Sequence, residues 1–325
     1  MGRANRATLL VTRSEVERCL DPATLVDALR DGFVDYSARH DGRARRVRSS
    51  LPGPGTATVL FPGTAPGVPA YTVKVHAKFP AETPAIRGVL CLHDMDSGDL
   101  LAVMDSTSLT AVRTGLAGAL AAHVLARPDA DVVAVIGAGI QGTHQLRSLA
   151  ALRRLRRVLV YDILTSRAES FARSVTDELG LPAIVATSVA MAVGDADISL
   201  IATWSRTPFI LPGMLRAGAH VTTLGADEPG KAEVDPELIR TSLFVCDDRA
   251  LAIELGALHG VAADAGSRAV ELGNVLSGAH PGRTSNREIT IYGGVGLAFQ
   301  DTIAAWQIYQ AVRDRGMART LDFLA

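Results

Sequence analysis

The stretch that most constrains this 325-residue chain is 131–149. Val132 to Ile136 is a short, wholly apolar run rich in β-branched residues, which reads as a buried parallel strand. It leads directly into Gly137-x-Gly139-x-x-Gly142, after which Leu146, Leu149 and Ala150 recur at helical spacing. Gly137 permits a tight turn, Gly139 lets a pyrophosphate approach the backbone, and Gly142 lets the helix pack close to the strand. Ile140 and Gln141 open that helix, where free N–H groups and the positive end of the dipole face the phosphates. A second apolar run, Arg157 to Asp162, ends in an acid 25 residues after Gly137. An acid there accepts hydrogen bonds from ribose hydroxyls and repels a 2′-phosphate, so NAD is the expected cofactor. Arg167 nearby keeps NADP open as the alternative.

The length allows two domains, each with its own core. A net charge of -1 points to no nucleic acid and no anionic membrane surface as partner. No apolar run approaches the roughly 18 residues that a membrane span needs. The N-terminus lacks an apolar region followed by a cleavage site, and Met1-Gly2 does not continue as a myristoylation motif. Cys19, Cys91 and Cys246 sit in apolar runs without disulfide or metal spacing, as expected for buried, reduced thiols of a cytoplasmic protein.

Pro22 to Tyr36 has the apolar spacing of a helix, with Leu25, Val26, Leu29, Phe33 and Val34 on one face. A basic cluster follows at Arg43 to Arg48, and Gly and Pro between Pro52 and Pro69 imply loops and short strands. Tyr71 to Phe79 alternates as a strand does, with Tyr71, Val73, Val75 and Ala77 on one face. Thr72, Lys74, His76 and Lys78 take the other. Arg87–Asp94 and Leu100–Asp105 flank a Gly-containing hairpin turn. From Ser108 the pattern is helical up to Pro128, and strands then alternate with helices: Val132–Ile136, Val158–Asp162, Ala183–Ala186, Ile198–Ala202, His220–Leu224, Leu243–Cys246 and Ile289–Tyr292. The expected class is α/β, a Rossmann doubly wound parallel sheet at 119–295 plus an α+β domain of 1–118 with 296–325.

Several segments together resemble the ornithine cyclodeaminase/μ-crystallin family. They are Tyr71-Thr-Val-Lys-Val with Phe79-Pro80, Leu109-Thr-Ala-Val-Arg-Thr-Gly, Ile136-Gly-Ala-Gly-Ile-Gln-Gly, Leu224-Gly-Ala-Asp-Glu-Pro-Gly-Lys-Ala-Glu-Val, and Val295-Gly-Leu-Ala-Phe-Gln-Asp. The resemblance implies a homodimer through the N-terminal domain, NAD or NADP as cofactor, and an α-amino acid or the matching α-imino acid as substrate. It puts Lys74 and Arg113 at the substrate carboxylate, with Arg48 there too and Arg45 and Arg46 as alternative matches. It gives Asp227 the proton on the substrate nitrogen. Lys231 then meets the cofactor or orders its loop, Arg113, Thr114 and Val295 lie at the nicotinamide end, and Thr203 touches the adenosine half.

The residues fit these roles on their own chemistry. A guanidinium grips a carboxylate bidentately, and Arg113 in an Ala-rich buried helix requires a partner, because an unpaired buried charge is prohibitively costly. Asp227 follows a strand at its C-terminal end, where ligands sit in open α/β sheets. His76 shares the polar face of Lys74 and reads as a hydrogen-bonded structural histidine. No histidine has metal-ligand spacing, and no Gly-x-Ser-x-Gly elbow occurs.

The chain also departs from the family. Cyclodeaminases carry a Glu ahead of Met-Pro where this chain has Val59-Leu60-Phe61-Pro62, the segment after Lys74 differs, and Gly293-Gly294 replaces a side chain and Ser. The missing Glu removes the partner of a distal amine and argues against ornithine cyclisation. The expected function is an NAD(P)-dependent oxidoreductase interconverting an α-imino acid, cyclic ones included, with the α-amino acid. Alternatives are a cyclodeaminase and a non-catalytic nucleotide or ligand carrier.

Overall fold

The computed structural model describes residues 7–39, 45–51, 56–261, 263–317 and 319–323. The extreme N-terminus, Arg43 and the side chain of Arg45 lie outside the described residues. The chain divides into two compact units, Met1–Arg113 with Leu297–Ala325, and Thr114–Gly296. The first cut falls five residues before the expected one, inside a helix that runs unbroken through Gly115 and Gly118.

The first unit runs β1 (Thr8–Val11), α1 (Arg13–Cys19), α2 (Pro22–Ala38), β2 (Arg45–Ser50), β3 (Thr56–Gly63), β4 (Ala70–Lys78), β5 (Ile86–Asp94) and β6 (Leu100–Asp105) into α3 (Ser106–Leu125). The second continues with β7 (Val132–Ile136), α4 (Ile140–Leu152), β8 (Arg157–Tyr161), α5 (Thr165–Leu179), β9 (Ala183–Val185), α6 (Val189–Gly194), β10 (Ile198–Ile201) and β11 (His220–Thr223). Then come α7 (Pro236–Thr241), β12 (Leu243–Cys246), α8 (Arg249–Glu254), α9 (Ala263–Arg268), β13 (Val270–Glu271), α10 (Leu272–Leu276) and β14 (Thr290–Gly293). The chain closes in the first unit with α11 (Ala298–Arg315) and β15 (Arg319–Leu321).

The second unit is an all-parallel sheet in the order β13-β12-β14-β11-β10-β7-β8-β9. All five residues of β7 are buried, as its continuous apolar run requires of a strand covered on both faces. Strand order reverses between β7 and β10, so the crevice beyond their carboxyl ends is the topological switch point of this sheet. Asp162, Ala202 and Leu224, expected to end strands, instead begin the loops at that edge. The two-residue β13 has no readable alternation and went unforeseen.

The first unit holds a seven-stranded, mostly antiparallel sheet in the order β15-β1-β6-β5-β4-β3-β2. In β4 burial alternates, and the polar side is the one covered: Thr72, Lys74, His76 and Lys78 are buried. The helix α11 packs on that face, with the hydroxyls of Thr72 and Thr302 2.7 Å apart. The opposite face carries Val47, Val59, Val75 and Val89, which pair directly across four neighbouring strands. Val47, Val75 and Val89 are 52%, 43% and 46% exposed. Cys91 lies on this open face opposite Val73 and is half-exposed, so the expectation of three buried thiols holds only for Cys19 and Cys246.

Among the described residues one helix, α3, is long and apolar enough to cross a membrane, contrary to the reading from single apolar runs. Its apolar character has another cause: 72% of its most apolar window is buried inside the protein.

Candidate active site

The first unit gathers its buried charges around Asp301, in the first turn of α11, where the helix dipole favours an anion. Lys74 Nζ lies 2.6 Å from Asp301 Oδ2, and Arg113 Nε donates to Asp301 Oδ1 at 2.9 Å. Arg113 Nη1 donates to Gln300 Oε1 at 2.7 Å, and Lys74 Nζ to Thr110 Oγ1 at 3.3 Å. Burial alone would raise the Asp301 carboxyl; Arg113 and Lys74 beside it hold it below the usual range. Burial draws the Lys74 amine down to about 7, with Asp301 pulling it back and Arg113 pushing the same way as burial. Two cations on one carboxylate leave a net positive cluster. Lys74 keeps an ammonium proton, and Arg113 its second terminal nitrogen, for a further anion.

Register places the strand arginines. Arg46 pairs with Leu60, which pairs with Lys74, so Arg46 shares the cross-strand row and face of Lys74. Arg48 pairs with Thr58, which pairs with His76, one row along on the same face, and its side chain is exposed. His76 is not the hydrogen-bonded structural histidine expected from its pattern. It is 5% exposed, and neither ring nitrogen meets a partner among the described residues.

The second unit carries the glycine turn. Gly137 has φ +96°, a conformation open to glycine, and a Cβ there would meet the Ala202 carbonyl at 2.6 Å. A Cβ on Gly142 would collide with the Gly137 carbonyl, whereas one on Gly139 would meet nothing within 4 Å. Gly139 caps α4 with no side chain of its own, so the helix start opens onto free space. Ile140 is exposed and Gln141 half-buried at that opening. Asp162 Oδ2 accepts from Ala138 N at 2.9 Å and Oδ1 from Leu164 N at 2.9 Å. The acid therefore braces the turn, and its remaining lone pairs are what a ribose would meet.

Asp227 sits in the loop after β11 and accepts from Lys231 Nζ at 2.9 Å. Lys231 also lies 3.5 Å from Glu228 and 4.1 Å from the centroid of the Trp204 ring. These contacts tie the Lys231 side chain into its loop. Thr203 donates through its N–H and its hydroxyl to Glu233 at 2.6 and 2.7 Å, so this side chain braces a loop of its own. Thr114 is half-buried in α3, and Val295 is buried, its N–H donating to Asp247 Oδ2 at 2.9 Å.

Three acids went unsingled in the sequence: Asp301, Glu233 and Asp247. Glu233 is buried and takes four hydrogen bonds, the two from Thr203 and those from Thr223 Oγ1 at 2.6 Å and Gly225 N at 2.9 Å. Asp247 accepts from Val295, Gly296 and Asp248 backbone N–H groups; burial lifts its carboxyl to about 6 against those bonds. Of the three, Asp301 follows an apolar stretch and Asp247 ends the apolar run of β12, whereas Glu233 stands among other charges, between Lys231 and Asp235. At the opposite edge of the sheet, His220 bonds Thr290 and Thr222 at 2.9 Å each and stays neutral, its pKa lowered by burial to about 3.

A glycine turn opening onto a free helix N-terminus at a parallel-sheet switch point defines the Rossmann class of dinucleotide-binding folds. The chain belongs to the ornithine cyclodeaminase/mu-crystallin family, whose model matches residues 6–316. Alanine dehydrogenase of Archaeoglobus fulgidus is 31% identical over 97% of this chain and 98% of its own length. An archaeal alanine dehydrogenase dimer with bound NAD superposes with a TM-score of 0.90, 29% identity, over 98% of this chain and 100% of that one. The Thermococcus litoralis Δ1-pyrroline-2-carboxylate reductase in complex with NADH and L-proline gives 0.89 and 29% identity, over 97% and 100%. The iminosuccinate reductase of Paracoccus denitrificans in complex with NAD+ gives 0.88 and 25%, over 97% and 99%.

Proposed function

We propose that this protein is an NAD-dependent oxidoreductase interconverting an α-imino acid and the α-amino acid, acting as a cytoplasmic homodimer. The observation that carries the reading is the buried Lys74–Asp301–Arg113 cluster, which holds two cations on one acid and so presents positive charge to a carboxylate. The open space over Gly139 and the uncapped start of α4 fit a pyrophosphate, with Asp162 at a ribose and Val295 toward the nicotinamide. Bound there, the dihydronicotinamide supplies a hydride. The known relatives that bind NAD or NADH and reduce or release imino acids support this reading.

In the reductive direction Lys74 and Arg113 fix the substrate carboxylate, and with it the orientation of the adjacent C=N carbon. A hydride delivered to that carbon would send the C=N electron pair onto the nitrogen, which already bears its proton as an iminium. Asp227 accepts a hydrogen bond from this nitrogen, stabilising its positive charge, and carries its proton in the reverse direction. Lys231 holds the Asp227 carboxylate in place.

The valine row on the open face of the first unit supports the dimer, since contiguous exposed apolar area marks an interaction surface. Its pairing across four strands makes the apolar row continuous. Free thiols at Cys19 and Cys246 fit a reducing compartment.

The test follows absorbance of the reduced nicotinamide with imino acids, or with 2-oxo acids and ammonia. Turnover is expected with NADH. Asp227→Asn should lower it by about 10²–10⁴-fold while NADH binding stays within about threefold. Ammonia release without net NADH change would identify a cyclodeaminase instead, and NADH binding with no oxidation of it by any substrate would identify a carrier.

A further inference from the structure

We propose that the covered face of β4 holds a second anion subsite, made by His76 and Thr58 beside Lys74, and that the substrate is a dicarboxylic α-imino acid. The inference rests on the oxidoreductase reading and names its substrate class. Thr58 and His76 are directly paired across β3 and β4, and both are buried. Neither ring nitrogen of His76 nor the Thr58 hydroxyl meets a partner among the described residues. Leaving such groups unmet costs about 1–3 kcal/mol each, so a site with three of them is built for a ligand that meets them.

The surrounding charge decides what kind of ligand. Burial first, then Lys74, Arg46 and Lys78, hold His76 down to about 3, while Asp301 alone among the groups acting most on it pulls the other way. The imidazole is therefore neutral, with one N–H to donate, and the Thr58 hydroxyl donates beside it. A distal ammonium would meet like charge from Lys74, Arg46 and Lys78. An aliphatic ring would leave three polar atoms unpaired. A carboxylate accepts from both donors, leaves one ring nitrogen unpaired in place of three polar atoms, and sits in favourable potential.

Spacing agrees. His76 lies two residues beyond Lys74 on one strand face, about 7 Å along β4. That separation suits the two carboxylates of a short dicarboxylic acid, one against Lys74 and Arg113 and the other against His76 and Thr58.

The test compares kcat/KM with NADH and ammonia for oxaloacetate and 2-oxoglutarate against pyruvate, and against the cyclic imine Δ1-pyrroline-2-carboxylate. A dicarboxylic substrate is expected to lead by about tenfold or more, because a site built to hydrogen-bond a group discriminates against analogues lacking it. His76→Val and Thr58→Val should each shrink that ratio by about tenfold, mainly through KM. Preference for pyruvate or the cyclic imine, or a ratio unchanged in both variants, overturns the proposal while leaving the redox reading intact. If no substrate oxidises NADH, the redox reading fails by itself. Calorimetry of L-aspartate against L-alanine on the NADH-loaded protein then decides the subsite: tighter aspartate binding, lost in His76→Val, supports it, and equal binding overturns it.

Discussion

The two sheets of this protein treat polarity in opposite ways. In the eight-stranded parallel sheet, strands such as Val132–Ile136 and Ile198–Ile201 are buried throughout and apolar but for the small Ser199, with no charged side chain in either. In the seven-stranded sheet, β4 buries Lys74 and His76 and leaves Val75 exposed. The difference shows that alternation identifies a strand without saying which face is covered. Cover depends on what packs above it. Here α11 brings Asp301 and Gln300 onto the polar side, giving the buried cations partners.

The sharpest way to break this contrast is to remove the acid that makes the inverted face possible. Asp301→Ala leaves Lys74 and Arg113 buried without a counter-charge, and should cost about 3–5 kcal/mol in urea denaturation. A loss under 1 kcal/mol would mean the cluster is solvated. Next comes the open face: Val75→Asp with Val89→Asp should shift the mass in analytical ultracentrifugation from dimer to monomer, whereas an unchanged mass would place the interface elsewhere. In the parallel sheet, Glu233→Gln should cost about 1–3 kcal/mol, since an amide turned either way sets its NH2 against the N–H of Thr203 or of Gly225.

The smallest effect is a pH limb. Lys74 titrates near 7, so substrate grip should weaken as pH rises through that value, by at most about tenfold per unit. Its pKa is lowered on folding, so the unfolded chain binds more protons between about 7 and 10.5, and fold stability from this group rises across the same window. Lys74→Arg stays charged and should lack the binding limb; a limb that persists in this variant belongs to another group.

Legibility followed the same divide. The Val132–Gly142 run named its own strand, turn and helix, because an apolar run, three glycines and helical spacing are all local signals. Lys74 and Arg113 were legible as cations for a carboxylate, and Arg113 also as one in need of a buried partner. Asp301, 188 residues from Arg113 in sequence, was not, because their meeting is a tertiary event that no spacing encodes. Thr203 and Lys231 were legible as residues of this loop edge, whereas their bonds to Glu233, Asp227 and Glu228 were not, because no local spacing announces them. His76 was misjudged because a strand pattern shows which face a ring shares and not whether its nitrogens meet anything.

The bracing of the Asp227 loop has an evolutionary corollary. A Cβ at Gly225 and the Glu233 Oε1 atom would occupy one volume, and the Thr203 carbonyl closes the other side. Positions 225 and 233 therefore cannot drift independently. A side chain gained at 225 needs both a shorter residue at 233 and a shift of the Thr203 carbonyl, so lineages that change this loop should change these positions together.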